Sequence, residues 1–253
     1  MEGIEGVLLD VDGTLLNGER PIPGASQVIE RLRQKGLPFR LGTNTTRRPR
    51  RAIAAALEEA GIQVDADEIV VPASLARRRI IESGRRRAAL LVPPESREDF
   101  LGVTHEETAP DWVVLGDLGY GFTFDVLNRA FHWLRGGATL LALHKNRFWH
   151  AGDEGLLLDA GPFVGALEYA AGVTAEVVGK PSVAFFHLAV ADLGLHAASV
   201  LVVGDSVEND FLGAARAGCK TALVQTGQFN EDELRRCGRR PDLVRASVAD
   251  LDL

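Results

Sequence analysis

Asp10 and Asp12 stand one residue apart in "VLLDVDGTLLNG", at the point where a short apolar run from Val7 gives out. A carboxylate is already ionised at neutral pH and can attack an electrophile, while a second one beside it can carry a proton, so the pair has the types needed for nucleophilic and acid/base work. Those twelve residues also admit a plainer reading, because Asp-Gly between apolar runs is a β-hairpin signal. The ends of other apolar runs bear on the choice. "FRLGTNTT" ends in Thr43 and Asn44, "AEVVGKPS" in Lys180, and "VLVVGDSVEND" in Asp205, with Asp210 entering the next helix. Each has an ordinary structural use: Thr43 and Asn44 could cap a helix, Asp210 suits an N-cap, and Lys180 could be a solvated loop lysine before Pro181. Taken together, an acidic pair, a hydroxyl, a lysine and a second acidic pair are the parts of a magnesium phosphoryl-transfer site.

Positioning them requires strands that end at one edge. The pattern predicts a strand over 6–9, a helix over 25–35 closed by Gly36, a strand over 39–42, and a helix from Pro49 to near Gly61. Near the other end "SVLVVGDS" reads as a buried strand, "DFLGAARAG" as a helix and "KTALVQTG" as a strand. This alternation predicts an α/β fold with a doubly wound parallel sheet, Rossmann-like, whose ligands bind beyond the carboxyl ends of the strands. Four strands are thereby expected to deliver polar groups to one edge of one sheet. Between them lies a second β/α series, with strands near 88–92, 112–115 and 139–143 and helices near 124–135 and 163–171. With no Ser/Pro-rich linker at either border, residues 84–178 are expected to be an inserted α/β cap domain, and 1–83 with 179–253 the core.

Composition narrows the setting. A chain of 253 residues, 46% hydrophobic and 25% charged, has the make-up of a globular protein with a substantial core. Its net charge of -7 argues against a surface that coats nucleic acid, and the arginine runs at 47–51, 77–79 and 85–87 read as solvated faces. No apolar run reaches membrane-span length and no signal-peptide pattern opens the chain, so a cytoplasmic location is expected. Cys219 and Cys237 have no metal-ligand spacing and read as reduced structural thiols.

The ordered set D-x-D-G-T, threonine, G-K-P and G-D-x-x-x-x-D resembles the haloacid dehalogenase-like hydrolase superfamily, and the large insert between the threonine and the lysine resembles its subclass IIA. The likeness extends into the insert through "GPFVGALEYAAG". It implies a phosphatase acting on a small phosphorylated compound, with P–N bonds and pyrophosphate within range. By that resemblance Asp10 is the nucleophile and Asp12 the acid/base. Mg2+ is held by the side chains of Asp10 and Asp205 and the main-chain carbonyl of Asp12, and Asp210 supports the metal shell. Thr43 and Lys180 hold the phosphoryl oxygens, with Asn44 and Thr45 framing substrate. Expected partners are that substrate and neither nucleic acid nor membrane; self-association into a homo-oligomer stays open.

Two departures stand out. Thr45 occupies a place where many subclass members have asparagine, and "LLALHKNRFW" replaces the Ala-Thr-Asn-x-Asp of the nucleotidase branch. A nucleotide is therefore not the expected substrate, and the row His144, Lys145, Asn146 and Arg147 is a candidate for cap specificity, with a surface loop as the alternative. "GDLGYGF" lacks the spacing of a phosphate-binding P-loop and reads as the turn into a helix. Two other functions fit these residues less well. A non-enzymatic phosphate-binding scaffold would be favoured by a missing nucleophile or acid, and neither is missing. A receiver-type switch needs its lysine last among the strand-end groups, whereas Lys180 precedes Asp205.

Overall fold

A computed structural model describes residues 3–150 and 155–252. By its contacts the chain divides into two compact units, one of Met1–Thr43, Arg50–Val70 and Lys180–Leu253, the other of Asn44–Pro49 and Val71–Gly179.

The first unit is built on six parallel strands in the order Leu243–Arg245, Lys220–Val224, Val200–Gly204, Gly6–Asp10, Phe39–Gly42, Ile69–Val70. All five residues of Gly6–Asp10 are buried, as are all five of Val200–Gly204. Strands covered on both faces read as continuous apolar runs, which is why the sequence shows no alternation there. Helix Ala25–Gln34 buries Ala25, Val28, Ile29 and Leu32, one stripe at helical spacing. Helix Val183–Leu193 places Phe185 and Phe186 in a core with Leu8, Val200, Val202 and Ala214.

From Gly6–Asp10 the chain steps outward through Phe39–Gly42 and Ile69–Val70, and later from Val200–Gly204 it steps out to the opposite edge. The order thus reverses between Gly6–Asp10 and Val200–Gly204, the crevice where open α/β sheets bind ligands. Asp10 ends one of these two strands and Asp205 follows the other.

The hairpin reading of Asp12-Gly13 does not hold. A type I′ turn needs positive φ at both central residues, but only Gly13 has it, at +87°, and among the described residues no non-glycine does. The antiparallel pair comes later, Leu16–Asn17 against Arg20–Pro21, turning at Gly18.

The second unit is also α/β. Its five parallel strands run in the order Glu176–Val177, Thr139–Ala142, Trp112–Leu115, Arg87–Leu91, Thr104–His105. Helices Phe124–Arg135 and Ala160–Ala171 contribute Ala130, Leu134, Val164 and Leu167 to its core. Helix Pro72–Glu82 groups here, whereas the sequence reading set the border at 83/84. Arg79 on that helix pairs with Glu176 at 2.8 Å and lies over the Trp112 ring, ties internal to this unit.

One expectation needs correction. The run before Lys180 forms strand Glu176–Val177, which pairs with Thr139–Ala142 in the second sheet. Lys180 is therefore not a strand end of the first sheet, and only three of the four strands expected to do so bring their polar groups to that edge. An apolar run reads the same whichever sheet it joins.

Arginines from the three runs have carboxylate partners: Arg50 with Asp67, Arg78 with Glu82, and Arg85 and Arg87 with Asp111. Cys219 and Cys237 are free thiols, and burial pushes the Cys219 thiol up to about 11. Among the described residues no helix is long and apolar enough to cross a membrane.

Candidate active site

Asp10, Asp205 and Asp210 converge in the first unit, each offering a carboxylate oxygen within 4.8 Å of the others. Asp10 comes from the end of Gly6–Asp10, and Asp205 from the residue after Val200–Gly204. Asp210 sits on a π-helical turn, Val207–Leu212, where the sequence reading had a regular helix. Such turns occur often at functional sites. Ser206 caps this one by accepting from the Asn209 amide, and the Ser206 amide donates to Asp210 Oδ2 at 3.1 Å.

Lys180 lies among these carboxylates and is only 4% exposed. Its Nζ donates to Asp10 Oδ1 at 2.5 Å, to Asp210 Oδ1 at 2.7 Å and to the Gly42 carbonyl at 3.0 Å. An ammonium has three donors, and all three are used. Burial works against the Lys180 charge, but Asp10 and Asp210 outweigh it and hold the ammonium above its ordinary value.

Three buried carboxylates against one ammonium leave an excess of negative charge. Burial raises the Asp10 carboxyl well above the carboxylate range; Lys180 opposes this, while Asp210, Asp205 and Asp12 add to it. Burial, then Asp210, pushes Asp205 up to about 7, against the Gln228 amide that donates to its Oδ2. A hard cation that takes oxygen ligands would relieve that crowding, so the donor set fits magnesium.

Asp12 is exposed, and its carboxylate accepts from the Thr43 hydroxyl at 3.1 Å. This brings together two of the residues picked from the sequence, one acid and one hydroxyl. Asn44 and Thr45 group with the second unit. The row from His144 to Arg147 does not share one environment: His144 is buried, Lys145 is exposed and paired with Glu168 at 2.8 Å, Asn146 is half-buried and Arg147 exposed.

The family model for haloacid dehalogenase-like hydrolases matches residues 7–103, and one described as HAD-hydrolase-like matches 177–251. Haloacid dehalogenase-like hydrolase domain-containing protein 2 of Bos taurus is 36% identical over 234 residues, covering 91% of this chain and 89% of that protein. The chain belongs to the haloacid dehalogenase-like hydrolase family. Phospholysine phosphohistidine inorganic pyrophosphate phosphatase of Bos taurus is 35% identical, covering 92% of this chain and 87% of its own. Among solved structures, NagD from E. coli K-12 superposes with a TM-score of 0.91 at 25% identity, covering 98% of each chain. The 4-nitrophenylphosphatase from Thermotoga maritima gives 0.91 at 28% identity, covering 98% of this chain and 95% of that one.

Within this hydrolase the Thr14 hydroxyl, which closes the D-x-D-G-T motif, faces Asp10 Oδ2 at 3.5 Å. Three residues around the carboxylates escaped the sequence reading: Thr226 donates to the Gly13 carbonyl, and the Gln228 amide holds Asp205. Gly227 completes the set: a Cβ there would fall 2.0 Å from Asp205 Oδ2 and 2.5 Å from Gly13 Cα. The signal was available, since "QTGQ" follows an apolar parallel strand at its carboxyl end.

Proposed function

We propose that this haloacid dehalogenase-like phosphatase hydrolyses a small phosphorylated compound with magnesium, through a phosphorylated Asp10. What carries the proposal is the placement of Lys180 between Asp10 and Asp210, with Asp205 in the same group of buried carboxylates.

Asp10 attacks phosphorus with a carboxylate oxygen, and the bond from phosphorus to the leaving oxygen breaks. As the acid, Asp12 gives a proton to that oxygen; as the base it then takes one from water, whose oxygen attacks phosphorus, releasing phosphate and restoring Asp10. Thr43 is hydrogen-bonded to Asp12 and positions it. The Lys180 charge keeps Asp10 from repelling an incoming anion, and Lys180 and Thr43 are assigned to the phosphoryl oxygens, each redirecting to them a donor now spent on a neighbouring oxygen. Asn44 and Thr45, the next residues along the chain, are assigned to frame the substrate. The side chains of Asp10 and Asp205 and the carbonyl of Asp12 would hold the metal, with Asp210 supporting them. When bound, magnesium supplies positive charge that offsets the crowded carboxylates and the phosphoryl oxygens.

The second unit is proposed as the source of substrate discrimination, because the groups of the first unit recognise phosphate alone. One relative is named for phospholysine, phosphohistidine and inorganic pyrophosphate, so P–N bonds and pyrophosphate belong beside phosphate monoesters in a substrate screen. A reducing cytoplasm suits the two free thiols.

The test is turnover of 4-nitrophenyl phosphate. Asp10→Asn should abolish it while the fold persists, and chelator should abolish it reversibly in the wild type. Asp10→Asn turnover within about tenfold of wild type, in protein free of deamidation, would refute the nucleophile; full activity in metal-free buffer would refute the metal.

A further inference from the structure

The loop "GDLGYG", which carries no phosphate-binding spacing, grips two residues of the 44–49 segment. The Thr46 hydroxyl is the hub of a buried polar cluster in the second unit. It accepts from the Asp117 amide at 2.9 Å and lies 3.3 Å from His144 Nε2. His144, 2% exposed, is in turn 3.7 Å from Asp159 Oδ1, and its Nδ1 lies 3.4 Å from the Asn146 amide. Gly116 eases this approach, since a Cβ there would come a tight 3.1 Å from both Cβ and Oγ1 of Thr46. A buried hydroxyl with partners on two sides fixes the backbone of its own residue, and so of the next one.

That next residue is Arg47. Its guanidinium is bounded on three sides: by the Asp117 carboxylate, 3.7 Å from Nε; by the Trp149 ring, 5.5 Å from Cζ to the centroid; and by the backbone of Gly119, where a Cβ would come 2.9 Å from Nη2. At 3.7 Å the Asp117 contact is an ion pair and not a hydrogen bond. Among the described residues none hydrogen-bonds this guanidinium, and the side chain is 43% exposed. A planar five-donor fork, ordered yet with its donors unspent, is matched to carboxylate, sulfate or phosphate oxygens taken two at a time. The ordering cost that usually weakens such binding is already met by the Trp149, Asp117 and Gly119 contacts.

We infer that Arg47 is an oxyanion-binding, specificity-determining residue of the second unit, held ready by Thr46, His144 and the Gly116–Gly119 loop. Its ligand is an oxyanion, either a group on the substrate besides the phosphoryl being transferred or a separate anion. The substrate form rests on the phosphatase reading; the separate-anion form does not.

The experiment uses the full chain with Arg47→Gln and Arg47→Lys, each checked for folding by thermal denaturation. One arm compares KM for 3-phosphopropionate and propyl phosphate, which differ by a single carboxylate. The other titrates inorganic sulfate calorimetrically without substrate. If the ligand is on the substrate, wild type prefers 3-phosphopropionate through KM, and Arg47→Gln cuts that preference at least about tenfold, the loss expected for charge-assisted hydrogen bonds. Arg47→Lys retains part of it, as a point charge without the fork. If the ligand is separate, sulfate binding to wild type disappears in Arg47→Gln. A KM ratio unchanged by Arg47→Gln, together with sulfate binding that is absent or unchanged, overturns the inference. Failure of wild type to turn over any phosphate ester would instead sink the phosphatase reading, and the sulfate titration would still decide Arg47.

Discussion

Lys180→Met keeps the stem of the side chain and removes the ammonium. In the folded protein Nζ serves Asp10, Asp210 and the Gly42 carbonyl, all in a site where Asp10, Lys180 and Asp210 are 6%, 4% and 2% exposed. Breaking a buried ion pair by deleting one partner costs about 3–5 kcal/mol, because the remaining charge stays out of water without compensation. Here two carboxylates lose their cation at once, which argues for the upper part of that range in the absence of metal. Protonation limits the loss. Asp10 already sits well above the carboxylate range, with Lys180 the main influence pulling it down, so without Lys180 it rises further. A carboxyl whose folded pKa exceeds its unfolded value binds more protons when folded. Stability is therefore lost as pH climbs from about 3.9 towards the folded pKa, and the loss levels off above it. Urea unfolding in chelator at pH 5.5 and pH 8 measures both effects. The expected deficit of Lys180→Met against wild type is larger at pH 8. A deficit below about 1 kcal/mol at pH 8, the size of an exposed ion pair, or one that shrinks as pH rises, would refute the account. Adding Asp210→Asn should recover part of the deficit, since the two side chains are in contact and their effects should not add.

Asp12→Asn should slow alkyl phosphates more than aryl phosphates, whose leaving oxygens need less protonation; equal losses across a leaving-group series would count against the acid role. Gly227→Ala should lower turnover and weaken magnesium activation together, because its Cβ would collide with Asp205 Oδ2 and Gly13 at a backbone φ of +58° that alanine resists; unchanged activation would show that Asp205 moves aside freely. Burial holds His144 below its ordinary value of 6.5, with Asp159 and Asp117 opposing, so its neutral form contributes stability above about 6.5 that is lost as pH falls. His144→Gln should flatten the decline of thermal stability between pH 7.5 and 5.5, and an equal slope in both proteins would contradict this.

Much of the first sheet was legible because buried parallel strands announce themselves as apolar runs, and the run that ends at Asp10 does so whatever follows. The strand over 39–42, the helix over 124–135 and the strand over 112–115 lie where periodicity puts them. Lys180 was placed in the site but on the wrong support, since "AEVV" carries no mark of the sheet it will join. The helix expected from "DFLGAARAG" is split between a π turn and the short helix Gly213–Arg216. Hydrogen bonds to Lys180 and Ser206 hold Asp210 there, and local propensity does not register them. Thr226, Gly227 and Gln228 were overlooked because they carry no charge, although they follow a strand in the same sheet as Asp10.

The polar cluster of the second unit was hidden for a related reason. A row such as His144 to Arg147 reads as a loop when judged by polarity, yet "LLALH" continues an apolar strand, and the last residue of such a run is as apt to be buried as the first. The two clusters then differ in what they ask of their surroundings. Around Lys180 the carboxylates outnumber the ammonium, and Asp10 and Asp205 are forced above their ordinary range, a crowding that further positive charge would relieve. Around Thr46 the amide, hydroxyl and imidazole groups satisfy one another, with His144 kept neutral by burial, and the charge of Arg47 is left facing outward. On the proposed reading the first cluster does chemistry on an anion, while the second holds one donor group still, which is what recognition requires.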